Sequence, residues 1–415
     1  MTQQALIAGG GIGGLACALA LARAGVQCVV LEQTAVLGEV GAGLQLGPNA
    51  VRVLADWGLM DALQEVAAFP EALLVRDAQG GQQLGHLRLG AMALARHGQV
   101  YATLHRADLQ GLLLQAVQRV ENPVSLQLGA RVVSFEEQAD GVIATLDRGD
   151  TLRADALVGC DGLWSRVRAQ LLGDGPPRST GHLAYRGMVR TADLPPALRS
   201  PVVTAWLGPR LHVVHYPVKQ GECFNVVAVV HGALTPGDDA QAWTHEAHAA
   251  DLKRAIGTGC PALMTLLEAV PDWTRWALND RSPMQGPQGH ARGRVALLGD
   301  AAHPMRPYLA QGAAMALEDA WTLGRQARNR RGPTDWPAMF AQYAELRWAR
   351  NAQVQARSQR NGTIFHASGP LRWARNRAMA LLGERLLDNT WLYGGPPEPP
   401  PPVPDTPSIR KRKTT

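Results

Sequence analysis

Cysteine is scarce in this chain, and its few cysteines show no pairing pattern. Among 415 residues only five are cysteine, and no Cys-x-x-Cys occurs. An odd and scattered set indicates neither a disulfide framework nor a cysteine-based zinc site. We therefore expect a cytoplasmic protein in a reducing compartment.

The net charge of the chain is also small. The 41 Lys and Arg residues against 35 Asp and Glu give a net charge of +6. Proteins dedicated to nucleic acid normally carry a stronger and clustered basic bias, so no nucleic-acid partner is predicted. The uncharged run from Ala5 to Ala22 follows a start without positive charge and contains five glycines. It therefore predicts neither a signal peptide nor a membrane span.

Glycine and proline are abundant, with 44 and 28 residues, but they concentrate in different places. Ten glycines lie within the first 47 residues, whereas eight prolines lie in the last twenty, from Pro396 onwards. The C-terminal stretch 396–415 is predicted to be a disordered, Pro-rich basic tail without core residues. The glycines call for a different explanation, which their spacing supplies.

The first motif is Gly9-x-Gly11-x-x-Gly14, between an apolar strand and an Ala/Leu-rich helix predicted over 15–23. A second apolar strand, Val26–Leu31, ends at Glu32. Strand, helix and strand within about 30 residues predict a right-handed βαβ unit of a buried parallel sheet. Such glycines allow a tight turn and close approach of a pyrophosphate, and Glu32 is placed to accept hydrogen bonds from a ribose.

Two further motifs have the same form, a buried strand that ends in a Gly-Asp or Asp-Gly pair. Asp161-Gly162 leads into a helix with Ser165, and Asp161 is expected either to hold Arg168 across the turn or to face a ligand. Gly299-Asp300 precedes a helix that begins near Gly312. Open α/β sheets bind ligands at this carboxyl edge, where helix N-termini also offer free N–H groups.

In this order and spacing, the three motifs resemble those of the single-component FAD-dependent aromatic hydroxylases with the para-hydroxybenzoate hydroxylase fold. The resemblance covers roughly residues 4–393. It implies an α/β protein, with a Rossmann-like FAD-binding domain interleaved with a mainly antiparallel-sheet substrate domain, followed by C-terminal helices. The implied parts are 1–72, 101–178 and 281–330 for FAD, 73–100 and 179–280 for substrate, 331–395 for the last helices, and 396–415 for the tail.

The resemblance also implies the residues that bind FAD. They are Gly9, Gly11, Gly14, Glu32, Gln45, Arg106, Val132, Asp161, Asp300, Gly312 and Ala313. It further implies NADH as a transient co-substrate, O2 as oxidant and a flavin hydroperoxide as the hydroxylating species. The sequence leaves the oligomeric state open, with a homodimer among the possible assemblies.

Four further segments narrow the resemblance, and they are the glycine-rich stretch 37–49, His212-x-x-x-Tyr216-Pro217, Tyr308-Leu-Ala310-Gln311-Gly312 and Trp391-Leu-Tyr393. On these segments the chain is most similar to the salicylate and 3-hydroxybenzoate hydroxylase branch, above all to 3-hydroxybenzoate 6-hydroxylases. The resemblance implies His212 as the base that takes a phenolic proton, with Gln311 and Tyr216 holding the ring or its carboxylate. On a strand, His212 and Tyr216 share one face and His215 the other, which makes His215 the second choice for the base. Ala310 stands where the family more often has glycine.

Two other functions stay open at the level of sequence. One is a decarboxylating salicylate 1-hydroxylase, and the other is a non-catalytic flavoprotein or redox sensor that uses the basic residues 410–413 of its tail. No metal site is predicted, because His245-Glu-Ala-His248 places its histidines three residues apart rather than the four of a zinc-binding helix.

Overall fold

A computed structural model describes residues 3–38, 42–234, 238–239, 242, 245–329 and 332–397. Of the predicted tail, all but Pro396 and Pro397 lie outside these ranges. In chain order the strands are β1 Gln4–Ala8, β2 Gln27–Leu31, β3 Gly43–Leu46, β4 Ala72–Asp77, β5 Gln83–Arg88, β6 Ala102–His105, β7 Val124–Gln127, β8 Val132–Gln138, β9 Gly141–Leu146, β10 Thr151–Ala154, β11 Ala156–Gly159, β12 Arg178–Arg190, β13 Val203–Gly208, β14 Leu211–Val218, β15 Cys223–His231, β16 His245–Ala247, β17 Trp273–Asp280, β18 Ala291–Arg292 and β19 Val295–Leu297.

The helices of the described ranges alternate with these strands in the first half of the chain and dominate its end. In chain order they are α1 Ile12–Ala22, α2 Pro48–Asp56, α3 Met60–Gln64, α4 Gly90–His97, α5 Arg106–Arg119, α6 Arg166–Leu172, α7 Ala249–Ile256, α8 Pro261–Ala269, α9 Gly312–Arg328, α10 Trp336–Phe365, α11 Gly369–Leu382, α12 Glu384–Leu387 and α13 Thr390–Tyr393. Among them, none combines the length and apolar character that crossing a bilayer requires.

The N-terminal βαβ unit is confirmed. Strand β1 pairs in parallel with both β2 and β11 at the centre of a six-stranded sheet of order β18-β19-β11-β1-β2-β7. Because β1, β2 and β11 are nearly all apolar, they are buried on both faces, as parallel sheets require. Helix α1 begins at Ile12, three residues before the predicted start, with Gly11 at its N-cap.

The sequence between 180 and 232 predicts an antiparallel sheet of four strands, 183–189, 202–207, 211–216 and 224–230. The sheet is present, and it is larger than these four strands. Its eight strands run in the order β16-β17-β12-β15-β14-β13-β4-β5, and all neighbours are antiparallel except β13 and β4. Strands β8 and β9 form a hairpin that belongs to a separate three-stranded sheet. The carboxyl edge of the parallel sheet and one face of the eight-stranded sheet together enclose the site described below.

From the sequence alone, the position of Asn49 directly before a helical pattern that Gly58 ends predicts an N-cap, and this prediction is wrong. Helix α2 begins at Pro48 with Gly47 at the N-cap, because proline presets the backbone angle of a first helical residue and needs no hydrogen bond there. The buried Asn49 amide instead donates to Oε1 of Glu318 at 2.7 Å and to Oε1 of Gln311 at 3.0 Å. Asn49 thereby links α2 to the start of α9.

Candidate active site

Two adjoining cavities lie between the sheets. An outer cavity of about 420 Å³ follows the carboxyl ends of β1, β2 and β11, and a central cavity of about 340 Å³ lies between α9 and the eight-stranded sheet. They share lining residues, including Gly11, Arg106 and Asp300. Together they form one extended trough with a glycine turn in its middle.

The predicted site residues gather along this trough. Gly9, Glu32, Val132 and Asp161 line the outer cavity, and Gly11, Arg106 and Asp300 line both cavities. The remaining ones line the central cavity, and they are Gln45, His212, Tyr216, Gln311, Gly312 and Ala313. Only Gly14 lies behind the surface, where it supports the turn.

At two positions in and after the turn that follows β1, only glycine fits. Gly9 has a φ of +104°, and a Cβ there would collide with the carbonyl of Cys160. A Cβ at Gly14 would collide with the carbonyl oxygen of Gly9. The backbone therefore approaches itself closely at this point, and the first turn of α1 opens onto the trough.

Glu32 stands at the end of β2, as predicted, and its carboxylate is fixed by the backbone. Oε2 accepts the N–H of Gly10 at 2.6 Å, and Oε1 accepts the N–H of Thr34 at 2.8 Å. Each carboxylate oxygen can accept more than one hydrogen bond, so the group can still bind a hydroxyl in the outer cavity.

The predicted Asp161–Arg168 ion pair is wrong. Asp161 accepts hydrogen bonds from Ser165 Oγ at 2.5 Å and from the N–H of Arg166 at 2.7 Å, so it holds the start of α6. Burial raises the pKa of Asp161 despite these donors. Arg168 points away, to Asp174 and to the carbonyls of Ala301 and Ala302.

Arg168 therefore links α6 to the turn that carries Asp300. At 2.5 Å the bond from its Nη1 to the carbonyl of Ala302 is short, and that from Nη2 to Asp174 is 2.6 Å. The guanidinium is almost fully buried, so these partners satisfy a charge that water cannot reach.

At the central cavity, His212 is held by another histidine. Its Nδ1 lies 2.8 Å from Nε2 of His366, while its Nε2 has no hydrogen-bond partner among the described residues. Burial, reinforced by His182, lowers the pKa of His212 to about 3. The imidazole is therefore neutral at physiological pH, and its Nε2 is not engaged by another described residue.

Tyr216 lies two strand positions beyond Val214, on the same face of β14 as His212. It is almost fully buried, and burial raises its pKa although Gln45 and Asn225 hydrogen-bond to it. Gln45 in turn accepts from Tyr101 Oη at 2.7 Å. Asn225 accepts the N–H of Gly43 at 2.9 Å, so β3 and the eight-stranded sheet are tied together beneath the cavity.

His215 points to the opposite face of the sheet. Its Nδ1 accepts a hydrogen bond from Trp206 Nε1 at 3.2 Å, and its ring stacks on that indole. Burial lowers its pKa to about 3, as for His212, but it does not line the trough. The structure thus favours His212 over His215 as the group that meets a ligand.

Two residues of the site, His366 and Asn225, were not predicted from the sequence. His366 follows α10, 154 residues from His212, and no local pattern marks it. Asn225 stands opposite Tyr216 in the β14–β15 register, so the strand pairing could have identified it once that register was known.

Comparisons with known proteins agree with this geometry. A family model described as an FAD binding domain matches residues 2–358. A 3-hydroxybenzoate 6-hydroxylase of Aquipseudomonas alcaligenes is 38% identical over 95% of this chain and 98% of its own length. The chain belongs to the FAD-dependent aromatic hydroxylases.

Solved structures extend this result to the cofactor. A Klebsiella pneumoniae protein, HpxO, in complex with FAD and uric acid has a TM-score of 0.82 and 28% identity, over 95% of this chain and 97% of its own. A salicylate hydroxylase in complex with substrate has a TM-score of 0.79 and 29% identity, over 95% of each chain. The hydroxylase described here therefore binds FAD.

The residues of the trough fit this cofactor. The glycine turn presents N–H groups where a pyrophosphate needs them, Glu32 suits a ribose, and the N-terminus of α9 faces the central cavity beside Asp300. We propose that the outer cavity takes the adenosine part of FAD and that the isoalloxazine ring lies in the central cavity.

Replacing Gly14 with alanine should disrupt the FAD site of this hydroxylase. The added Cβ would collide with the backbone oxygen of Gly9, which cannot move without opening the turn. We expect a loss of about 3 kcal/mol of stability and little bound FAD after purification. Gly111→Ala is the matched control, because Gly111 lies in α5 with no atom near its Cβ position. Equal FAD content and stability in the two variants would contradict this expectation.

Ala310 adopts a backbone conformation that suits glycine better. Its φ is +51°, immediately before Gln311 and the start of α9. Ala310→Gly is expected to raise the free energy of unfolding by about 1 kcal/mol, because the left-handed conformation costs alanine about that much. Ala341→Gly, on the exposed face of α10, should instead lower the free energy of unfolding, because glycine destabilises a helix. Urea unfolding of both variants measures the difference; a destabilised Ala310→Gly would contradict the assigned strain.

Proposed function

We propose that this hydroxylase uses NADH and O2 to convert 3-hydroxybenzoate to 2,5-dihydroxybenzoate. The observation that carries the proposal is the free Nε2 of His212 on a cavity shared with Gln311, next to the N-terminus of α9. The similarity to 3-hydroxybenzoate 6-hydroxylases over nearly the whole chain supports this choice of substrate.

In this proposal His212 takes the phenolic proton of the substrate. A phenol ring is far more reactive toward an electrophile once it is deprotonated, and the new hydroxyl then enters para to the existing one. The neutral imidazole has an acceptor ready at Nε2, provided that its proton lies on Nδ1 and is donated to His366. The substrate carboxylate in the same cavity would stabilise the imidazolium that forms, which offsets the effect of burial on its pKa.

The other two residues orient the ring. Asn49 holds the Gln311 carbonyl oxygen, so the amide N–H2 of Gln311 remains to donate to a substrate oxygen. Tyr216 is fixed by Gln45 and Asn225 at the cavity wall. When bound, FAD supplies the electron transfer from NADH and the activation of O2. All five cysteines are free, which supports a cytoplasmic enzyme.

A single screen tests the function. The FAD-loaded enzyme is mixed with NADH, or with NADPH, and with 2-, 3- or 4-hydroxybenzoate, and both coenzyme oxidation and products are measured. We expect 3-hydroxybenzoate to stimulate NADH oxidation and to yield 2,5-dihydroxybenzoate. Catechol and carbon dioxide from 2-hydroxybenzoate would instead establish the salicylate 1-hydroxylase alternative. A lack of stimulation by all three acids would refute the proposal.

A further inference from the structure

Three histidines form a cluster at one end of the eight-stranded sheet. His182 lies on β12, His231 ends β15, and His366 follows α10. Their ring centres are 4.4, 5.0 and 5.1 Å apart. One nitrogen atom from each ring lies within 4.8 Å of the other two. Three imidazoles that converge in this way are a donor set for a metal ion rather than for an organic ligand.

The spacing of the cluster fits a tetrahedral metal site. With metal–nitrogen distances of about 2.0–2.1 Å, two imidazole nitrogens are about 3.3 Å apart and their ring centres about 5 Å apart. In the protein, Nδ1 of His366 lies 3.1 Å from Nε2 of His231. Little movement would therefore be needed to bring three nitrogens around one ion.

The backbone already fixes this arrangement. His182 and His231 stand directly opposite each other in the β12–β15 register. Between β13 and β14, Arg210 donates its N–H to the carbonyl of His366 at 3.0 Å and accepts the N–H of His231 at 3.2 Å. The three histidines thus come from elements that are joined by main-chain hydrogen bonds, so binding would not require folding of a loop.

The second nitrogen of two of the rings is also held. Tyr308 Oη lies 2.7 Å from Nδ1 of His182, and Nε2 of His366 lies 2.8 Å from Nδ1 of His212. Metal-binding histidines usually engage their other nitrogen in such a hydrogen bond, which fixes the ring and its tautomer.

We propose that His182, His231 and His366 bind a first-row divalent transition metal of the Zn²⁺ class, and that the bound metal suppresses the action of His212. His231 is exposed, so an ion can reach the site from solvent. Water would then occupy the fourth coordination position of the metal. Arg210 and Arg306 lie close enough to act on His231 and His182. Because Arg306 is paired with Asp280 at 2.6 Å, it is mainly the positive charge of Arg210 that opposes a dication and makes its binding reversible.

The suppression follows from the order of donors and acceptors, and it rests on the proposed function of His212. A metal on Nδ1 of His366 leaves the proton on Nε2, which must then donate to Nδ1 of His212. His212 consequently carries its own proton on Nε2, facing the cavity. In that tautomer it can donate to a phenol oxygen but cannot accept the phenolic proton.

Binding is measured on the tag-free, FAD-loaded enzyme, by titration calorimetry with Zn²⁺ and by the visible absorption of Co²⁺. We expect one equivalent to bind and His231→Asn to weaken the affinity about tenfold or more. His182→Asn is a second variant with the same expected loss, and His248→Asn is the matched control with unchanged affinity. Unchanged affinity in His231→Asn, or no binding by the wild-type enzyme, would overturn the site.

Suppression is measured separately from binding. Zn²⁺ should lower the hydroxylation rate of the wild-type enzyme at the concentrations at which it binds, and His231→Asn should hydroxylate normally without that response. Equal Zn²⁺ inhibition of both enzymes would overturn the link to His212. Because calorimetry needs no turnover, a wrong assignment of substrate would leave the binding result intact and would be recognised as a separate failure.

Discussion

His212→Ala is expected to lower the hydroxylation rate constant by about 10²–10⁴-fold, the usual contribution of a general base. The variant removes the only proton acceptor that we propose for the phenol, and it leaves the outer cavity untouched because His212 does not line that cavity. Single-turnover hydroxylation of 3-hydroxybenzoate, followed by product analysis, measures the effect. NADH should still be oxidised, so the ratio of product to NADH consumed should fall.

His215→Ala is the matched control for this prediction. It removes a histidine of the same strand, equally buried, that contacts Trp206 on the far face. We expect a loss of stability, because Trp206 loses its acceptor, but an unchanged hydroxylation rate in the folded enzyme. If the two variants hydroxylate at the same rate, then His212 is not the base.

The sequence was sufficient wherever the chemistry is local. Gly9, Gly11 and Gly14 follow one strand and precede one helix, so their spacing alone predicts the turn that the structure contains. In the same way, the alternation of side chains along β14 separates His212 and Tyr216 from His215 without any knowledge of the sheet. These predictions needed only the period of a strand or the geometry of a single turn.

Long-range partners could not be obtained in this way. An ion pair with Asp161, seven residues earlier, was one expectation for Arg168, yet its partners are Asp174 and two carbonyls more than 130 residues away. His366 reaches His212 only because α10 ends beside the eight-stranded sheet. These long-range contacts depend on how the helices pack, and no periodic pattern in the sequence determines that packing.

A buried group of charges shows how that packing is specified. Glu318 and Asp319 on α9 are fully buried, and Arg347 on α10 contacts both, with Nη1 2.9 Å from Glu318 and Nε 2.7 Å from Asp319. Asp319 Oδ2 also meets Nε2 of His303 at 2.5 Å and the N–H of Gly299 at 3.2 Å. The group therefore connects α10 to the turn that carries Asp300.

Asp319 depends on these partners for its charge. Burial by itself would raise its pKa, but His303 and Arg347 outweigh that effect and the net pKa is lowered. A carboxylate whose pKa is lowered by folding stabilises the protein above its unfolded pKa and loses that contribution as the pH falls. Removal of Arg347 should therefore lower the free energy of unfolding at every pH at which Asp319 stays ionised.

Arg347→Met is therefore expected to lower the free energy of unfolding by about 3–5 kcal/mol, since it leaves two buried carboxylates without their shared cation. Methionine keeps much of the side-chain volume, so the loss reports charge rather than a cavity. Arg360→Met is the matched control on the exposed part of the same helix, with an expected change within about 0.5 kcal/mol. Urea unfolding of the FAD-loaded proteins at neutral pH measures both. A similar midpoint for the two variants would mean that the buried charges do not hold α10 against the FAD-binding turn.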